Sequence, residues 1–168
     1  MTKEALRQEL AEEIRKAYKE VEYPGEDHFE LGHEVESFRG YTWQDIPIDI
    51  LILRRDELHY LTPEAFAYFL PAFLIAILLN SNEVDSLHPN LLFFYLVPPQ
   101  NIDGKSSEYT DYRRQRLSKI REILTASQKR AIFKVYDMYS DLFPDHELSL
   151  EEEGLRDRAL TYWASGQS

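Results

Sequence analysis

The segment Leu61–Asn80, LTPEAFAYFLPAFLIAILLN, constrains this chain more than any other. From Ala65 to Leu79 it holds no charge, and the Tyr68 hydroxyl is its one strongly polar group. Thr62-Pro63-Glu64 marks a helix start. The Thr62 oxygen can cap, Pro63 suits the first helical position, and Glu64 sets a negative charge at the positive end of the dipole. Phe66, Phe69, Leu70, Phe73, Leu74 and Ile77 recur at helical spacing, and the other face offers Ala65, Ala72, Ala76 and Leu79 instead of charges. A helix apolar on every face has to be enclosed by other elements. The uncharged run is shorter than the roughly 20 residues that cross a bilayer, so it reads as the core of a soluble domain. Pro71 removes a donor and crowds the Ala67 carbonyl, at about 3 kcal/mol in a regular helix. That predicts a kink, or two helices meeting near Leu70.

The rest of the chain supplies the enclosure. Residues 3–21 read as an amphipathic helix capped by Thr2, with Leu6, Leu10, Ile14, Ala17, Tyr18 and Val21 as its stripe, stopped by Pro24-Gly25. Gly25 to Trp43 reads as a loop that Phe38 and Trp43 anchor to the core. IPIDILIL (46–53) has strand-like composition, but no second strand follows to pair with it, so a short helix from about Ile48 to Arg55 is expected. Pro89 opens a further helix that Pro98-Pro99 stops, and QNIDGKSS (100–107) is an exposed loop. A helix lined by Leu117, Ile120 and Leu124 follows. Thr125 and Gln128 then have capping-box spacing before a stripe of Ile132, Val135, Tyr136, Tyr139 and Leu142. The short connection predicts that these two helices are antiparallel neighbours. After Pro144, Ser149 and Glu152 form a second capping-box pattern before Leu155, Ala159, Tyr162 and Trp163.

A length of 168 residues suits one domain with an extension. The expected organisation is a single helical domain over 1–143 and a helical extension over 144–168 that packs on the domain or on a partner. The fold class is all-α, a compact irregular bundle of about six helices around the buried, proline-interrupted central helix. Nineteen Lys and Arg stand against 30 Asp and Glu, a formal charge of −11. That argues against general affinity for nucleic acid or anionic lipid, and for solubility or a basic partner. With no cysteine, thiol chemistry and disulfides are excluded. Residues 3–20 are charged throughout, so no secretory leader is read and a cytoplasmic location is expected.

The motif residues Trp43, Leu61, Pro63-Glu64-Ala65-Phe66, Tyr68, Leu70-Pro71-Ala72 and Leu74, with Gln128 to Ile132, resemble a family of small bacterial proteins catalogued as a domain of unknown function. The resemblance covers roughly residues 5–143 and leaves the segment from Pro144 outside. It implies a fold and brings no activity or catalytic residue.

Motifs for chemistry are sparse. No two of His28, His33, His59, His88 and His146 have the i, i+4 spacing of a helical zinc site, and there is no nucleophile elbow or Gly-rich phosphate loop. Glu26, Asp27, His28, Glu30, His33 and Glu34 form the densest cluster of metal-ligating types, with His28, His33 and Glu30 as candidate ligands. A hydrated acidic loop explains the same residues. Between Arg113 and Lys134 the chain carries eight cations and the single acid Glu122. Phosphate binding is the sharp reading of that run, and an ion-paired face the plainer one. No cofactor is implied.

These observations favour a non-enzymatic protein-interaction module. An acidic immunity-type inhibitor that covers the basic active site of a toxin enzyme is one concrete form. The expected contact residues are Glu26, Asp27, Glu30, Glu34 and Glu36 in the acidic loop, and Glu151, Glu152, Tyr162 and Trp163 in the last helix. The alternatives are a metal-dependent enzyme using the His28/His33 loop, and a structural homo-oligomer assembled through the C-terminal helix.

Overall fold

A computed structural model describes residues 1–25, 36–80 and 87–164. Its helices, in order, are α1 (Lys3–Ala17), α2 (Ile48–Leu53), α3 (Pro63–Leu79), α4 (Leu87–Asn90), α5 (Glu108–Ile123), α6 (Ala126–Asp137), α7 (Tyr139–Leu142) and α8 (Leu150–Ala164). Short 3-10 turns at Glu36–Phe38 and Arg55–Tyr60 and a π-turn at Leu91–Tyr95 complete them. The architecture is all-α, as predicted, and the described residues form no sheet. None of their helices is long and apolar enough to cross a membrane.

Local chemistry sets where the long helices begin. Thr2, Thr62, Ser107 and Thr125 each accept the amide three residues on, with side-chain oxygens 3.1–3.3 Å away. The two predicted capping boxes both close: Gln128 accepts the Thr125 amide at 2.9 Å, and Glu152 accepts the Ser149 amide at 2.9 Å. Each such cap is worth about 1 kcal/mol to its helix. Tight turns complete the frame. Asp103 and Gly104 both take positive φ (50° and 72°) beneath the Ile102–Lys105 bridge, a primed turn that Asp-Gly suits.

The apolar segment lies at the centre. Every residue from Ala65 to Leu74 is buried, as are Ala76, Ile77 and Leu78. The chain does not divide at Pro71; one helix runs through it. The reason is one of magnitude. A proline costs about 3 kcal/mol, whereas each buried Phe or Leu of this segment contributes about 1.5–3 kcal/mol. Packing wins.

α1 and α5 lie against α3, and α2 closes part of its remaining surface. α6 packs on α1 and α8 rather than beside α5, so the expected antiparallel α5–α6 pair does not form. The stripe of α6 (Ala131, Ile132, Val135, Tyr136) faces elements distant in sequence, which the short Leu124-Thr125 connection does not determine. α1 stops at Ala17, short of Val21, because Tyr18 leaves the helical region and turns its ring into the core. Phe38 and Trp43 are buried anchors, as expected. α8 is held to the body by Trp163, fully buried, whose indole Nε1–H donates to the Leu96 carbonyl at 2.9 Å.

Two buried tyrosines test how polar groups are treated in this core. Tyr136 donates to the Leu92 carbonyl at 2.6 Å, whereas the Tyr18 hydroxyl is buried without a partner among the described residues. Burial raises the pKa of both phenols, so neither ionises at neutral pH. Tyr136→Phe is predicted to lower stability in urea by about 1–2 kcal/mol, and Tyr18→Phe to leave it unchanged or raise it by up to about 1 kcal/mol. Equal losses from the two substitutions would contradict this assignment.

Candidate functional site

The basic run supplies internal fasteners. Arg113 donates to the Phe94 carbonyl at 2.6 Å, Arg116 to that of Leu58 at 2.9 Å and Arg114 to that of Pro99 at 3.4 Å. Arg7, Arg156 and Arg158 do the same for Leu142, Tyr136 and Pro98. Several of these acceptors stand at helix ends, where carbonyls lack an intrahelical donor and the dipole favours a cation. Lys134 pairs with Glu13 at 2.6 Å, and Arg121 stacks over the Tyr162 ring at 4.6 Å.

Two of these arginines also frame a surface site. In the π-turn the Leu96 amide bonds to the Leu91 carbonyl, five residues back, at 3.1 Å. This wider turn keeps Leu91, Leu92 and Phe93 in the core while Phe94 stands 37% exposed. Alongside it, the first turns of α5 present Tyr109 and Tyr112, 61% and 42% exposed. The Arg113 guanidinium lies over the Phe94 ring at 3.9 Å and 6.0 Å from the Tyr109 ring. Behind them is a crevice of about 60 Å³ whose lining includes His59, Phe66, Tyr95 and Arg116. Burial, helped by Asp56 and opposed by Arg116, pushes the Tyr95 phenol up to about 12, so it stays protonated at neutral pH. The face is aromatic and braced by fixed guanidiniums, and the crevice behind it is small. Tyr109, Tyr112, Arg113 and Arg116 recur at i, i+3, i+4 and i+7, a stripe legible in the sequence once α5 is placed.

A second polar cluster runs from the core to the surface. His88 is buried, and its Nε2 lies 2.8 Å from the Tyr139 hydroxyl. The His146 ring centroid is 5.1 Å from that of His88, and His146 Nε2 is 3.4 Å from Glu152. Fifty-eight positions separate these two histidines in the chain, so no spacing rule finds the pair. Among the described residues no group of three or more His, Asp or Glu is arranged to hold a metal ion.

Glu26, Asp27, His28, Glu30, His33 and Glu34 lie outside the described residues, and Glu36 opens the 3-10 turn before Phe38. Glu151 is exposed on the first turn of α8, while Glu152 is occupied by the Ser149 cap and His146. Tyr162 is half-buried. Trp163 is not a surface residue: the indole that suggested an interface fills the space beside Leu96 and offers nothing to a partner.

Fold and face together define a small all-helical protein with an aromatic–arginine surface. The model of a family of unknown function (DUF6714) matches residues 6–166, and the chain belongs to that family. The match runs through the segment beyond Pro144, which the resemblance in sequence had left outside. No curated protein and no solved structure matches the chain.

The buried histidine makes a pH prediction. Burial, then His146 and Arg7, hold His88 down from 6.5 to about 4, with Glu152 opposing. Between those values the unfolded chain binds a proton that the folded chain does not, so stability falls as pH drops through the window. The expected loss from this group is about 3 kcal/mol. In urea titrations from pH 7 to 4, His88→Gln should lose that much less than the parent. Superimposable profiles would remove the assignment.

Proposed function

We propose that the protein is a non-enzymatic interaction module whose contact face is the aromatic–arginine surface of Phe94, Tyr109, Tyr112 and Arg113. One observation carries the reading: three large aromatic rings stand partly exposed beside a guanidinium that their neighbours hold in place. Tyrosine and arginine concentrate binding energy at protein interfaces, because a rigid ring covers area at low entropic cost. A guanidinium already fixed on a carbonyl loses little freedom when a partner arrives.

The partner is a basic protein. A charge of −11 steers such a molecule toward the chain, and Glu108, exposed at the edge of the face, gives its cations a local partner. An inhibitor covering the basic active site of a toxin enzyme is the form that combines these features. α8 is the weaker contact surface, since its tryptophan is enclosed within the chain.

Replacing Tyr109 and Tyr112 by Ala separates this reading from its competitors. Both side chains are well exposed, so the melting temperature should move by no more than about 2 °C. Affinity for the basic protein captured by the parent chain should fall at least about 30-fold, and that capture should weaken with salt. Retention of the same partner at parental affinity by the double variant would overturn the proposed face.

A further inference from the structure

We propose that the groove between α1, α2 and α3 binds a small amphiphilic carboxylate, its chain on the apolar floor and its head on the α1 cations. The groove encloses about 610 Å³, within the range of small-molecule sites, and lies apart from the aromatic–arginine face. It exists because α3 carries Ala72 and Ala76 one turn apart where larger side chains would fill the space between helices. Trp43, Leu51 and Ile75 wall it with apolar surface. The Trp43 indole Nε1–H is itself buried and has no acceptor among the described residues.

Charge selects the occupant. The chain sums to −11, yet among the described lining residues Arg15, Lys16 and Lys19 converge on the rim of this groove against the single acid Glu12. Glu12 pairs with Arg15. Lys19 lies 3.9 Å from Glu20, both well exposed, a contact that solvent screens strongly. Lys16 is exposed and forms no ion pair with the described residues. Cations at the mouth of an apolar slot fit an anionic head on an apolar body, because head and body are recognised by different parts of the site. A neutral lipid would use only the floor, and a cationic amphiphile would be repelled at the rim.

Calorimetric titration with decanoate, below its micelle concentration, tests the site. We expect saturable one-site binding that weakens with salt, weaker binding of decanol, and at least tenfold weaker decanoate binding by the Lys16→Glu/Lys19→Glu variant. Both lysines are exposed, so that variant keeps the fold, which a thermal melt verifies. A Tyr109→Ala/Tyr112→Ala chain should bind decanoate as the parent does, which keeps this result separate from that for the partner face. The proposal is overturned by absence of saturable binding, by decanol binding as tightly as decanoate, or by undiminished affinity in the lysine variant. It is equally overturned if an acidic amphipathic peptide occupies the groove while decanoate does not.

Discussion

Everything in this fold answers the need to enclose α3. The helix carries no polar face on which to meet water, so neighbours must cover it on all sides. α1 and α5 provide long surfaces, α2 a short one, and α6 and α8 build outward from α1. The same requirement explains why Pro71 is tolerated: the packing of the rings and branched chains around it outweighs one missing hydrogen bond. Where α3 thins to alanines the enclosure is incomplete, and a groove opens.

Arginine is the second organising residue. In an acidic protein, a dense cationic run suggests a surface for phosphate. Here the guanidiniums reach carbonyl oxygens of turns and helix ends, often far away in the chain, and tie the outer helices to the core. A planar group with five donors can make such a bond and still stack on an aromatic ring, as Arg113 does on Phe94. The aromatic–arginine face is therefore a by-product of the fastening: the residues that hold the π-turn in place also present its ring to solvent.

What could be read from the residues alone follows a physical division. The capping boxes at Thr125/Gln128 and Ser149/Glu152, the start of α3 at Thr62-Pro63, and the Asp103-Gly104 turn are local events decided within a few residues. The choice of α1 and α8 as neighbours of α6 is tertiary, and nothing near Thr125 encodes it. The π-turn has no sequence signature, because it differs from an α-helix by one residue in its hydrogen-bond register. Ring size is also an unreliable guide to exposure. Trp163 and Tyr109 look alike as large amphipathic groups, yet one is enclosed and the other stands out, according to which face of its helix meets the core.

On unfolding, α3 should be the last element to lose its structure, because every neighbour must leave before it meets water. Native-state hydrogen exchange measures this directly. The amides of Phe69, Leu70, Phe73 and Leu74 should exchange only through global unfolding, with opening free energies equal to that from urea denaturation. The amides of α2 and of residues 100–107 should exchange through smaller local openings. Exchange in α3 faster than in α5 or α6 would show that the outer helices stand without it, and would contradict this account of the fold.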